Sequence, residues 1–170
     1  MKQPVTWVAT AAMIAIWTSV AGAADATIND VVQIKQLEEN FVAGVNARDV
    51  DRIMSNYINS PDLVVFDLVP PRQYTGWNAY RDDWKEVLGR CRDAPIMLMT
   101  DLRIDAGRYH GYGHNVQHFS CTTTSGTKMD LTFRVTDGYK KIGRRWFIAH
   151  EHISVPVNLE TGKADLASKP

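Results

Sequence analysis

The hydrophobic period changes once along this chain, at Pro95, and that change limits what it can fold into. Before Pro95, apolar residues recur at helical spacing. Ile34, Leu37, Phe41 and Val45 form one stripe, and Trp77, Tyr80, Trp84, Val87, Leu88 and Cys91 form another. After Pro95 the period is two, over Ile96–Asp105, Tyr109–Thr122, Lys128–Lys140 and a last run from Trp146. Gly107, Gly126 and Gly143 fall between these runs, where turns need them. Helices first and a meander of strands afterwards make an α+β domain.

Local signals refine the first half. Thr27 and Asp30 are spaced as a capping box for the first helix. Asp49 suits the N-cap of a second, short helix carrying Val50, Ile53, Met54 and Tyr57. Leu63–Leu68 is β-branched and aromatic enough for a strand, and Pro70-Pro71 ends it. Tyr74-Thr75-Gly76 leads into the third helix.

The first 24 residues read as an export signal: Lys2, an apolar stretch from Val5 to Val20, then Ala21-Gly22-Ala23. Thr6, Thr10, Thr18 and Ser19 interrupt that stretch, so a permanent membrane span is not expected after cleavage. Removing it from 170 residues leaves about 146, enough for one core. The expected location is periplasmic or secreted. A net charge of zero argues against nucleic acid as partner. Cys91 and Cys121 allow one disulfide or two buried thiols. Residues 158–170 form a polar C-terminal tail with a Thr161-Gly162 turn, otherwise expected to be extended.

The candidate site starts from the last strand. Strict alternation puts Trp146, Ile148, His150, His152 and Ser154 on one face, and Phe147, Ala149, Glu151, Ile153 and Val155 on the other. Two imidazoles on an apolar strand suggest a cavity lining, a hydrogen-bond network or an interface. His118 shares a face with Tyr112, His114 and Val116 and could meet His150. Asp67 interrupts an apolar strand, as a proton-transfer carboxyl or as an ion held by Arg134. Arg134 alternates with Phe133 and Val135, and so faces away from the helices if those two face them. A bulge would reverse this. Trp77 and Trp84 are core aromatics or a wall for a ring-shaped ligand. His-x-His on a strand can present two metal ligands, but no histidine follows His152, so no metal is expected. No phosphate loop or nucleotide fingerprint occurs, and no cofactor is expected.

Several pieces in this order resemble the SnoaL-like and ketosteroid-isomerase-like group of the nuclear-transport-factor-2-like superfamily. They are Asp62-Leu-Val-Val-Phe-Asp67, Pro70-Pro71, Tyr74-Thr75-Gly76, Phe133-Arg134-Val135-Thr136, Gly143-Arg-Arg-Trp146 and His150-Glu151-His152 with Ser154-Val155-Pro156. The resemblance implies a domain over residues 25–157. Three N-terminal helices would be wrapped by a strongly curved, mixed but mainly antiparallel sheet, a cone-shaped barrel with a pocket. It also implies homodimers that pair through the sheet, and an arginine at the place of Arg134 that reaches into the pocket. Steroid-type isomerases pair an Asp base with a Tyr and a protonated Asp; Asp67 and Tyr74 match by type, with no second acid evident. Two readings of function follow. One is an exported pocket domain holding a small hydrophobic or carboxylate-bearing molecule through Arg134, His152, Trp77 and Trp84. The other is a cofactor-independent isomerase or lyase on a small cyclic substrate, with Asp67, His150, His118 and Tyr74 as its acid–base set.

Overall fold

The computed structural model describes residues 17–167. The first sixteen residues of the segment read as an export signal, and residues 168–170, lie outside the described residues. The elements are α1 (Trp17–Asn46), α2 (Val50–Met54), β1 (Val64–Phe66), β2 (Tyr74–Thr75), α3 (Trp77–Arg90), β3 (Ile96–Ala106), β4 (His110–Thr122), β5 (Lys128–Ile142) and β6 (Arg145–Ser154). No helix among the described residues is long and apolar enough to cross a membrane.

The six strands make one mixed sheet in the order β2-β1-β6-β5-β4-β3. β1 runs parallel to β6, and every other pair is antiparallel. The sheet is curved but not closed, with β2 and β3 as free edges. The expected α+β architecture is what forms. β2 is the element that sequence reading missed, because two residues are too short to show a period.

The sequence stripes become the core. Ile34, Leu37, Phe41 and Val45 of α1, Tyr80, Trp84 and Leu88 of α3, and Phe133, Val135 and Tyr139 of β5 are all buried together. Phe41 meets Trp84 edge-on at 5.6 Å, and Tyr57 meets Tyr80 at 5.3 Å. Asp49 caps α2 by accepting the Arg52 N–H at 2.9 Å. Asn46 clips the end of α1 to β3, donating to the Met97 carbonyl and accepting its N–H. Gly76 opens α3 with φ +92°, a conformation that side chains resist, and its N–H bonds the Leu63 carbonyl. Cys91 and Cys121 are disulfide-bonded and tie the end of α3 to the end of β4.

The expected Thr27–Asp30 capping box is not a helix start: α1 spans Trp17–Asn46 and runs through both residues, and Asp30 bonds Lys141 and Trp146 instead. Two further features depart from the sequence reading. The C-terminal segment is not an extended tail: the expected Thr161–Gly162 turn folds it back, so that Val157 bridges Ala164 and the Thr132 N–H donates to the Leu166 carbonyl. The second departure sets the site. Gly138 pairs with His150 but Tyr139 pairs with Ile148, so Ala149 is an extra residue, a bulge in β6. Ile148 is also held from the other side, exchanging backbone hydrogen bonds with Asn56 and Ile58.

Candidate functional site

The bulge reverses the alternation of β6. Trp146 and Ile148 point into the core, but beyond Ala149 the inward residues are Glu151 and Ile153. His150 and His152 therefore lie on the outer face, against Phe66 at ring separations of 5.0 and 5.6 Å. The His150 Nδ1 sits 2.8 Å from the Val64 carbonyl. The single-face reading of Trp146, Ile148, His150 and His152 is corrected on this ground. His118 is also outward, 2.7 Å from Asp130. Arg134 is exposed on the same outer face, as the Phe133–Val135 alternation required. These four residues are not brought together with Asp67.

The inner face encloses a cavity of about 320 Å³ with mostly apolar walls, among them Phe41, Trp84, Met97, Phe119 and Phe133. Asp67, Tyr74 and Trp84 line it, as expected of a site; Trp77 instead packs over Arg81 and donates its indole N–H to the Met54 carbonyl. At the mouth, Tyr74 donates to Asp83 at 2.6 Å. Asp67, half-buried beside Leu68, accepts that residue's N–H at 2.5 Å. Burial, aided by nearby Asp83, still pushes the Asp67 carboxyl up to about 6.

Glu151 closes the inner end. It is 2 % exposed, and its Oε2 accepts both the Tyr57 hydroxyl at 2.8 Å and the Tyr80 hydroxyl at 3.0 Å. Burial raises its pKa; the two phenols oppose the rise, while Asp67 and Glu38 add to it. Behind it Asp137 stands opposite Glu151 in the β5–β6 register. Glu38 follows, accepting the Tyr139 hydroxyl at 2.7 Å. A Cβ at Gly113 would lie 2.7 Å from that hydroxyl, so glycine is what lets Tyr139 reach Glu38. Burial raises both Glu38 and Asp137, and mutual repulsion adds to the rise of Asp137. Three neighbouring carboxyls in an apolar interior cannot all ionise, so this stack holds protons near neutral pH. Asp30 shows the contrast: burial raises it, but hydrogen bonds from Lys141 and Trp146 outweigh that and leave it lowered.

Glu151, Tyr57, Tyr80, Asp137 and Glu38 are not among the acid–base candidates that the sequence offers; Tyr80 reads there as a core or wall aromatic and Glu151 as a counter-ion for Arg134. Glu151 is the second acid that was not evident, hidden because strict alternation put it on the wrong face. Asp137 and Glu38 carried a readable signal: each sits in phase with an apolar row, Phe133-Val135-Tyr139 and Ile34-Phe41-Val45. Among the described residues, no three His, Cys, Asp or Glu side chains are grouped to hold a metal ion.

Helices set against the inner face of a curved open sheet, with an apolar cavity and carboxyls of raised pKa at its end, make a pocket fold of a size that suits a small molecule. The chain belongs to the SnoaL-like domain family, which matches residues 34–158. A crystal structure of a nuclear-transport-factor-2-like protein of unknown function from Pseudomonas putida KT2440 is 28 % identical. It superposes with a TM-score of 0.71, over 89 % of this chain and 98 % of that one. A superfamily protein from Salmonella enterica serovar Typhimurium LT2 is 16 % identical, with a TM-score of 0.68 over 82 % and 98 %. A Novosphingobium aromaticivorans DSM 12444 protein, provisionally called a scytalone dehydratase, is 14 % identical, with a TM-score of 0.68 over 76 % and 86 %. These last two share the fold alone. No curated protein sequence matches significantly.

Proposed function

We propose that this chain is an exported pocket domain whose cavity receives a small, neutral, largely apolar molecule carrying an oxygen function. The observation that carries the reading is the inner end of the cavity, where Glu151, held toward its protonated form, meets two phenols beneath apolar walls. The lining also narrows the ligand class. Asp67, Asp83, Glu86 and Glu151 face the cavity with Arg90, which is itself paired to Glu86, while Arg134 points outward. A ligand carboxylate would be repelled there, so a neutral molecule is favoured over an anion. A panel of neutral cyclic alcohols and ketones, set against matched carboxylates, tests this by thermal shift. Stabilisation by the carboxylates alone would refute it.

A second reading, proton transfer on the bound molecule, is favoured by the unequal carboxyls. Asp67 at about 6 can accept a proton at neutral pH, while Glu151, oriented by the Tyr57 and Tyr80 hydroxyls and held toward its protonated form, donates a hydrogen bond to developing negative charge. The names of some structural neighbours point the same way. Deuterium uptake by a bound cyclic ketone in heavy water, lost in Asp67→Asn, is the expected result; equal uptake in both would remove Asp67 from that role.

The disulfide suits an oxidising compartment and so supports export; compartment fractionation tests it. The outer sheet face exposes Phe66, Ile96, Leu98 and Tyr112, which supports pairing of two copies through the sheet. Light scattering at high concentration returning a monomer mass would refute that pairing.

A further inference from the structure

Gln117 lines the same cavity at a place the acid–base groups do not reach. It is 2 % exposed, on β4, among Met97, Phe119 and Phe133. Its amide forms no hydrogen bond with the described residues. Glu151, by contrast, accepts hydrogen bonds from both the Tyr57 and the Tyr80 hydroxyls. Among the described residues the Trp84 indole N–H, the Asn115 amide and the Asp137 carboxyl are enclosed without partners; of these only Trp84 lines the cavity, and it offers a single donor. An amide with two donors and an acceptor, lining a mostly apolar cavity without a protein partner, is poorly satisfied by the chain itself. It becomes favourable when a bound molecule pairs with it.

The sheet register fixes where this group lies relative to the acid. Gln117 stands opposite Phe133 and Glu151 opposite Asp137, four residues apart along β5 and on strands either side of it. Strand geometry puts their Cα atoms on the order of 15 Å apart. One ligand atom cannot meet both. A ligand that does is elongated, with oxygen functions at two ends and an apolar body between, roughly the length of two fused rings.

We propose that Gln117 determines specificity by binding the second polar group of such a two-ended neutral ligand. The inference rests on the cavity being a ligand site, and the experiment separates the two claims. The probes are 2-naphthol, with one hydroxyl, and 2,6-dihydroxynaphthalene, with one at each end, titrated calorimetrically into the mature protein, Gln117→Met and Gln117→Asn. Wild type is expected to bind the diol about tenfold more tightly, the worth of one good neutral hydrogen bond. Gln117→Met erases that preference and changes 2-naphthol affinity by less than about threefold. In isotope-labelled wild type, the diol shifts the Gln117 side-chain amide resonances.

A diol preference that survives Gln117→Met, or amide resonances unmoved by the diol, overturns the proposal. So does equal affinity for both probes in wild type, which leaves the ligand-site reading standing. Binding of neither probe refutes that reading and this inference together. Should Gln117→Met fold poorly, the Gln117→Asn ratio and the amide resonances decide alone.

Discussion

Replacing Asp67 by asparagine removes a carboxyl whose charged form is worse off in the folded chain than in water. Burial, the largest cause, and nearby Asp83 raise it from 3.8 to about 6. Between those values the unfolded chain has lost the proton and the folded chain still holds it. The stability this group contributes is therefore complete below pH 3.8 and is lost as pH rises through about 6. Each tenfold change in acidity is about 1.4 kcal/mol, so the full span is about 3 kcal/mol. Half-burial at the cavity mouth lets water screen part of that, which leaves about 1–2 kcal/mol to be measured. The asparagine oxygen can still accept the Leu68 N–H, so little else is lost. Urea unfolding of both proteins between pH 4 and pH 8 is the assay. Asp67→Asn should be more stable than wild type by about 1–2 kcal/mol at pH 7 and nearly equal at pH 4. Taking the difference between the two proteins removes the titration of Glu38 and Asp137, which both retain; Glu151, which the Asp67 charge raises, is relieved in the variant and adds to the difference in the same direction. A difference that is flat with pH, or a variant less stable at pH 7, would refute the desolvation argument.

Removing the disulfide by changing Cys91 and Cys121 to alanine frees a loop spanning 30 residues, and should cost about 3–4 kcal/mol in urea unfolding. Tyr80→Phe deletes one of two donors to a buried carboxyl, and should cost about 1–2 kcal/mol by the same assay, with more lost at pH 8 than at pH 6 as Glu151 ionises. His152→Ala, on the outer face, should leave cavity binding of 2-naphthol unchanged while weakening any dimer measured by sedimentation.

The fold was largely legible because its signals are local. The period change at Pro95, the Asp49 cap and the stripes of α1 and α3 each depend on a few neighbouring residues, and each appears in the structure. The site was legible only in part. Asp67, Tyr74 and Trp84 do line the cavity. Glu38 and Asp137 were marked by their phase on apolar faces, a signal easy to pass over because polar residues on such rows usually point elsewhere. Glu151 was not recoverable from the strict alternation on which that reading relied.

By itself, the order of residues determined the sequence of helices and strands, which faces of most of them are apolar, and the acid strung into the interior rows. Those follow from side-chain geometry within one element. Only the tertiary structure decided which face of β6 turns inward past Ala149, because a bulge arises from how Gly138 and Tyr139 register against His150 and Ile148 across strands. That one extra residue sends two histidines outward and brings Glu151 to two phenols from different parts of the chain.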